Sequence, residues 1–124
     1  MAVESNIGPS SWFINADHSI RIDVVQADGV TPQTMTGWAL EFTLRAEAAN
    51  GTGTEHITKT TAGGAVTIGN GAGTNDRATV TILAADTATL KEGKYYEFAL
   101  WRTDTGSRQP LVYGTAYLTA PAIA

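Results

Sequence analysis

The chain contains no cysteine, so it has no disulfide framework and no thiolate to hold a metal. Charge is scarce. Asp, Glu, Lys and Arg make up 16% of the 124 residues, against about a quarter in ordinary soluble domains, so much of the surface must be Thr, Ser, Ala and Gly. Such a surface suits burial against neighbours. The eight Lys and Arg are outnumbered by twelve Asp and Glu, for a net charge of -4, and the arginines are scattered. A nucleic-acid partner would want a dense positive patch, so none is expected. No apolar run approaches the roughly 20 residues that cross a bilayer as a helix, so no membrane partner is expected either. The opening Met1-Ala2-Val3-Glu4-Ser5 lacks the basic and apolar regions of a secretory signal. The chain is therefore expected to be made and folded in cytosol.

What the chain does have is alternation. Its length suits one domain with one core. In Gly37-Trp38-Ala39-Leu40-Glu41-Phe42-Thr43-Leu44-Arg45, every second residue from Trp38 is apolar, the period of a half-buried strand. Ile20 to Val24 alternates in the same way. Trp12-Phe13-Ile14 reads as an edge strand, and weaker strands fall at Ile57–Thr60, Val66–Ile68 and Ala78–Ile82. In the last strand Val112, Gly114, Ala116 and Leu118 share one face, with Leu111, Tyr113, Thr115 and Tyr117 on the other. Asp28-Gly29, Gly63-Gly64 and the Gly-rich run Asn70–Asn75 supply turns. Ala84–Leu90 is the one short helix expected, with a helical turn at 46–49 and a flexible loop at 50–54.

About seven or eight short strands spaced by turns predict an all-β, antiparallel sandwich of immunoglobulin-like type. Its expected core is Ile20, Ile22, Trp38, Leu40, Phe42, Val80, Ile82, Phe98 and Leu100. Residues 1–10 are expected as a flexible arm, 11–120 as the domain and 121–124 as a tail, with Pro121 closing the last strand. Leu90-Lys91-Glu92-Gly93-Lys94-Tyr95 has the form of a tyrosine corner, in which Gly93 bends the chain and the Tyr95 hydroxyl bonds back to upstream backbone. The competing reading is an aromatic-rich hairpin with no corner.

Motifs for chemistry are missing. Asp17-His18 and Glu55-His56 are strand neighbours, which point to opposite faces. Gly69-Asn70-Gly71-Ala72-Gly73 lacks the Lys-Ser/Thr ending of a phosphate cradle. Asp76, Asp86 and Asp104 sit in separate turns with no calcium-loop spacing. No serine stands in a nucleophile elbow. No catalytic residue, cofactor or metal is expected. What remains is surface: Tyr95 and Trp101 on the outward side of one strand, Tyr113 and Tyr117 on the outward side of the next. Aromatic rows of this kind occur at protein interfaces and also stack on sugar rings. The alternative is that they cover a loop of the same chain. The residues expected at an interface are Trp12, Phe13, Trp101, Tyr113 and Tyr117.

The run from Asp28-Gly29 through Met35-Thr36-Gly37-Trp38 to Leu40, Phe42 and Leu44 resembles the immunoglobulin-like domains of tailed-bacteriophage virion proteins. Leu90-x-x-Gly93-x-Tyr95 and Leu111-Val112-Tyr113-Gly114-x-Ala116-x-Leu118 extend that likeness from about Ile20 to Leu118. Upper baseplate proteins carry such a domain at the N-terminus, and small head proteins consist of one. The resemblance implies a non-enzymatic structural protein of the virion, assembled in the host cytoplasm. In baseplate proteins a helical linker and a receptor-binding part follow; this chain stops at Ala124. The expected role is therefore a capsid decoration or cement protein bound to the major capsid protein or another virion protein, with a homo-oligomer as a further association. The alternatives are a small neck, tail or baseplate adaptor, or a carbohydrate-binding module for a host surface glycan.

Overall fold

A computed structural model describes residues 3–7, 11–13, 17–46, 55–88, 90 and 94–119. Seven strands build the body: β3 (His18–Val25), β4 (Leu40–Ala46), β5 (Glu55–Thr60), β6 (Val66–Gly69), β7 (Arg77–Ile82), β8 (Lys94–Arg102) and β9 (Gln109–Thr119). They divide into a sheet of three, β3-β7-β6, and a sheet of four, β9-β8-β4-β5, all antiparallel. Two N-terminal strands add one edge to each. Within residues 1–10, β1 (Val3–Ile7) lies antiparallel to β3, while β2 (Ser11–Phe13) runs parallel to β9. The finished order is β1-β3-β7-β6 against β2-β9-β8-β4-β5. This is the A-B-E-D and G-F-C-C′ order of an immunoglobulin sandwich, with its first strand shared between the two sheets. Among the described residues a four-residue helix, α1 (Ala84–Thr87), follows β7 on the way to β8. The helical turn expected at 46–49, the loop at 50–54 and the Gly93 bend lie outside the described residues, apart from Ala46, which closes β4.

The inward rows interlock as their alternation requires. Ile20, Ile22, Val80 and Ile82 of one sheet and Leu40, Phe42, Phe98 and Leu100 of the other are all buried. Phe42 and Phe98 stack across adjacent strands with ring centres 6.2 Å apart. Gly114 makes room for this. A Cβ there would lie 2.9 Å from the Phe98 ring.

Two residues depart from the expected places. Trp38 precedes its strand and is only partly buried, packed against the edge of the core. The cause is a turn: the Trp38 amide donates to the Met35 carbonyl at 3.1 Å and Gly37 takes a φ of +77°. Met35, which lies in the turn-rich connection after Asp28-Gly29, becomes the fully buried side chain there. Tyr95 lies on the outward side as its alternation predicts, 55% exposed, and Tyr96 is the buried neighbour; the backbone at 91–93 to which a corner hydroxyl would bond lies outside the described residues. Leu111, expected to face outward, is buried, because pairing slips from Leu100–Val112 to Trp101–Pro110 and leaves Leu111 in a bulge.

Carboxylates pin the connections. Asp86 accepts from the Leu83 amide at 2.7 Å and meets Lys59 Nζ of β5 at 2.8 Å. Burial pushes the Asp86 carboxyl up, but Lys59 and the Leu83 amide more than offset this and hold it below the usual carboxylate range. Arg102 holds Asp104 low, and the Thr31 hydroxyl with the Val30 and Thr31 amides holds Asp28 low. A carboxyl depressed in the folded state stabilises it fully above its unfolded pKa and loses that contribution as pH falls through the folded value. Melting temperature is therefore expected to show no loss from these groups above about pH 5 and to decline below about pH 4. A series of thermal melts followed by circular dichroism checks this; a melting temperature unchanged down to pH 2 would contradict it.

Candidate functional site on the outer face of the five-stranded sheet

Register sets which outward side chains meet. On the outer face of the second sheet the rungs are Glu41–Trp101, Thr43–Ala99–Tyr113, Arg45–Glu97–Thr115 and Tyr95–Tyr117. Alternate residues are about 6.7 Å apart along a strand, so the aromatics at Trp101 and Tyr95 stand about 20 Å apart.

Trp101 does not project. It is partly buried and lies across the sheet, its Nε1 donating to Thr43 Oγ1 at 3.1 Å. Thr43, an outward residue, is consequently only 1% exposed. Arg108, from the turn between β8 and β9, places its guanidinium 4.2 Å from the centre of the Trp101 ring and donates to Glu41 Oε1 at 2.5 Å. Tyr113 is 79% exposed. At the far end Tyr95 and Tyr117 meet with ring centres 4.8 Å apart. Trp12 and Phe13 belong to β2, whose backbone pairs alongside Tyr117 to Thr119; their side chains lie outside the described residues. The sheet thus brings Trp101 and Tyr113 together and keeps Tyr117 apart with Tyr95.

Between Trp101 and Tyr113 a cleft of about 330 Å³ opens, floored by Ala99 and Gly114 and reaching Glu97 and Arg45. Glu97 Oε1 is buried and no group donates a hydrogen bond to it. Sequence reasoning passed over Glu97. It stood in the outward alternation, but whether its Oε1 finds a donor depends on the side chains paired beside it on β4 and β9. A second cleft, about 440 Å³, lies at the end of the sandwich between Trp38, Gln33, Gln109 and Leu111. Both of its arginines are already paired: Arg102 stacks 3.8 Å over Trp38 and forks onto Asp104, and Arg108 holds Glu41.

Two further titratable groups have structural partners. Asp17 accepts from the Ala84 amide at 2.6 Å, and the exposed His56 sets its ring edge on Tyr96 at 5.7 Å. Among the described residues no three His, Asp or Glu gather as a metal site, and no helix is long and apolar enough to cross a membrane.

These features define a β-sandwich of immunoglobulin strand order with an aromatic, clefted outer sheet. No protein-family model matches the chain, and no curated protein does. Among solved structures it is similar to MtrC from Shewanella baltica OS185, with a TM-score of 0.53 and 12% identity over 100% of this chain. The chain spans about a quarter of that protein, 24% of its length, and at such identity the likeness is one of fold alone.

Proposed function

We propose that the protein is a non-enzymatic structural protein of a tailed-bacteriophage particle, a decoration protein that docks on the major capsid protein. Its attachment surface is the outer face of the five-stranded sheet. The observation that carries this reading is that Tyr113, beside a cleft, and Tyr95, further along the same face, are 79% and 55% exposed. Exposed tyrosines at the centre of a patch dominate interface energy. The resemblance of residues 20–118 to virion domains supplies the identity of the partner.

Purified chain should co-sediment with capsids assembled without it and saturate in proportion to the capsid lattice. Saturation at a small fixed number at one vertex would instead mark a neck or tail adaptor. Tyr113→Ala should weaken binding about tenfold, since a hot-spot residue contributes on the order of 1–2 kcal/mol. Deleting residues 1–10 should leave the domain folded, because β3 to β9 carry a core of their own among the described residues, yet lower occupancy on particles by removing an edge strand. Failure to bind capsids together with specific binding on a glycan array would replace this function with carbohydrate recognition.

A further inference from the structure

We propose that the cleft between Trp101 and Tyr113 receives one arginine side chain of the docking partner, with Glu97 as its counter-charge. The proposal rests on reading this face as a protein-docking surface and adds the chemistry of the partner.

The first ground is the unmet acceptor. Glu97 Oε1 is buried with no donor. Withdrawing a carboxylate oxygen from water without a hydrogen bond is costly, and such groups in native proteins call for an explanation. Arg45 sits opposite Glu97 across the strands and lines the same cleft. It is engaged in an interaction of its own and does not donate to Oε1. The missing donor therefore comes from outside the chain.

The walls say which donor fits. Aromatic faces attract cations, arginine more often than lysine. The chain already lays its own arginines on tryptophan twice, Arg102 over Trp38 at 3.8 Å and Arg108 over Trp101 at 4.2 Å. A further guanidinium between Trp101 and Tyr113 would repeat that packing. The floor of Ala99 and Gly114 leaves depth, and about 330 Å³ accommodates a planar head with its methylene stem. Arginine suits the place better than lysine because its flat fork matches both oxygens of a carboxylate and it is less strongly hydrated. Oε1 is sealed from solvent, so the entering group has to part the side chains over it. Tyr113, 79% exposed, is free to change rotamer on that side. The net charge of -4 draws a basic surface in the same direction.

The test is a titration of the full chain, followed by NMR, with Nα-acetyl-arginine amide. The matching citrulline amide serves as a neutral isostere and methyl glucoside as a sugar probe. The ring signals of Trp101 and Tyr113 and the amides of Ala99 and Gly114 should shift saturably with the arginine probe. The citrulline probe should bind at least tenfold more weakly. Glu97→Gln should lose at least tenfold in arginine binding while its melting temperature stays level or rises, since the change removes charge from a carboxyl whose Oε1 is buried without a donor. Equal binding of citrulline, unchanged binding by Glu97→Gln, shifts confined to the Trp38 end, or a response to the glucoside alone would each overturn the proposal. Capsid co-sedimentation separates the two levels. Wild-type and Glu97→Gln chains bound equally to capsids would leave the decoration role standing and remove the arginine receptor. Arginine binding without capsid binding would do the reverse.

Discussion

Phe42→Ala is expected to lower the unfolding free energy by about 3–5 kcal/mol. Phe42 is 0% exposed and lies on β4, which is paired on both sides, by β5 and by β8. Its ring stacks on Phe98 within 18° of parallel. Truncation removes both the transfer free energy of the ring and its contacts with a core that strand hydrogen bonds prevent from collapsing into the gap. A domain of this size has about 5–15 kcal/mol in all, so the variant should stand near the edge of folding. Urea denaturation with an unchanged slope would measure the loss. A loss below about 1 kcal/mol would mean that Phe42 is not where the two sheets meet. Trp38→Ala is the natural comparison and should cost less, because Trp38 is partly buried and only packs against the rim.

Asp76→Ala should cost about 2–4 kcal/mol, because hydrogen bonds to a charged group contribute about 1.5–3 kcal/mol each and buried donors left alone are penalised. Asp76 is 2% exposed, and its two oxygens accept the Gly71 amide at 2.6 Å and the Gly73 amide at 3.1 Å. One carboxylate thus ties down the first half of the Gly-rich connection between β6 and β7, whose far end is held by Asn70 and Thr36 at Asn75. Gly71 is required beneath it, since a Cβ there would fall 2.9 Å from Asp23 Oδ1, itself held by Arg77 at 2.6 Å. Without the Asp76 carboxylate the two glycine amides lose their acceptors. Denaturation should register the loss, and hydrogen exchange at Gly71 and Gly73 should accelerate. Exchange at those amides as slow as in the wild type would show that the loop is held by something else. Asp76→Asn should fall between, because a carboxamide keeps one accepting oxygen in place of two.

Several of these features were legible in the residues alone. Alternation identified the central strands and assigned their faces, because successive side chains in a strand point to opposite sides whatever the partner. That is why Ile20, Ile22, Leu40, Phe42, Val80, Ile82, Phe98 and Leu100 were all correctly expected inside. Turn chemistry placed the breaks between strands for an equally local reason. Gly64 and Gly29 adopt positive φ, which their neighbours do not.

Tertiary structure decided what period two does not encode. Trp38 falls outside its strand because the Met35–Trp38 turn includes it, and Met35 fills the buried place. Leu111 turned inward because the register between β8 and β9 slips by a residue at the bulge. Trp101 lay flat on Thr43 beneath Arg108 instead of standing out, and Glu97 was left without a donor. Apart from the local Met35–Trp38 turn, these outcomes depend on the register between strands and on side chains far apart in the chain. The alternation of one strand says which face a residue takes; only the pairing of strands says whom it meets there.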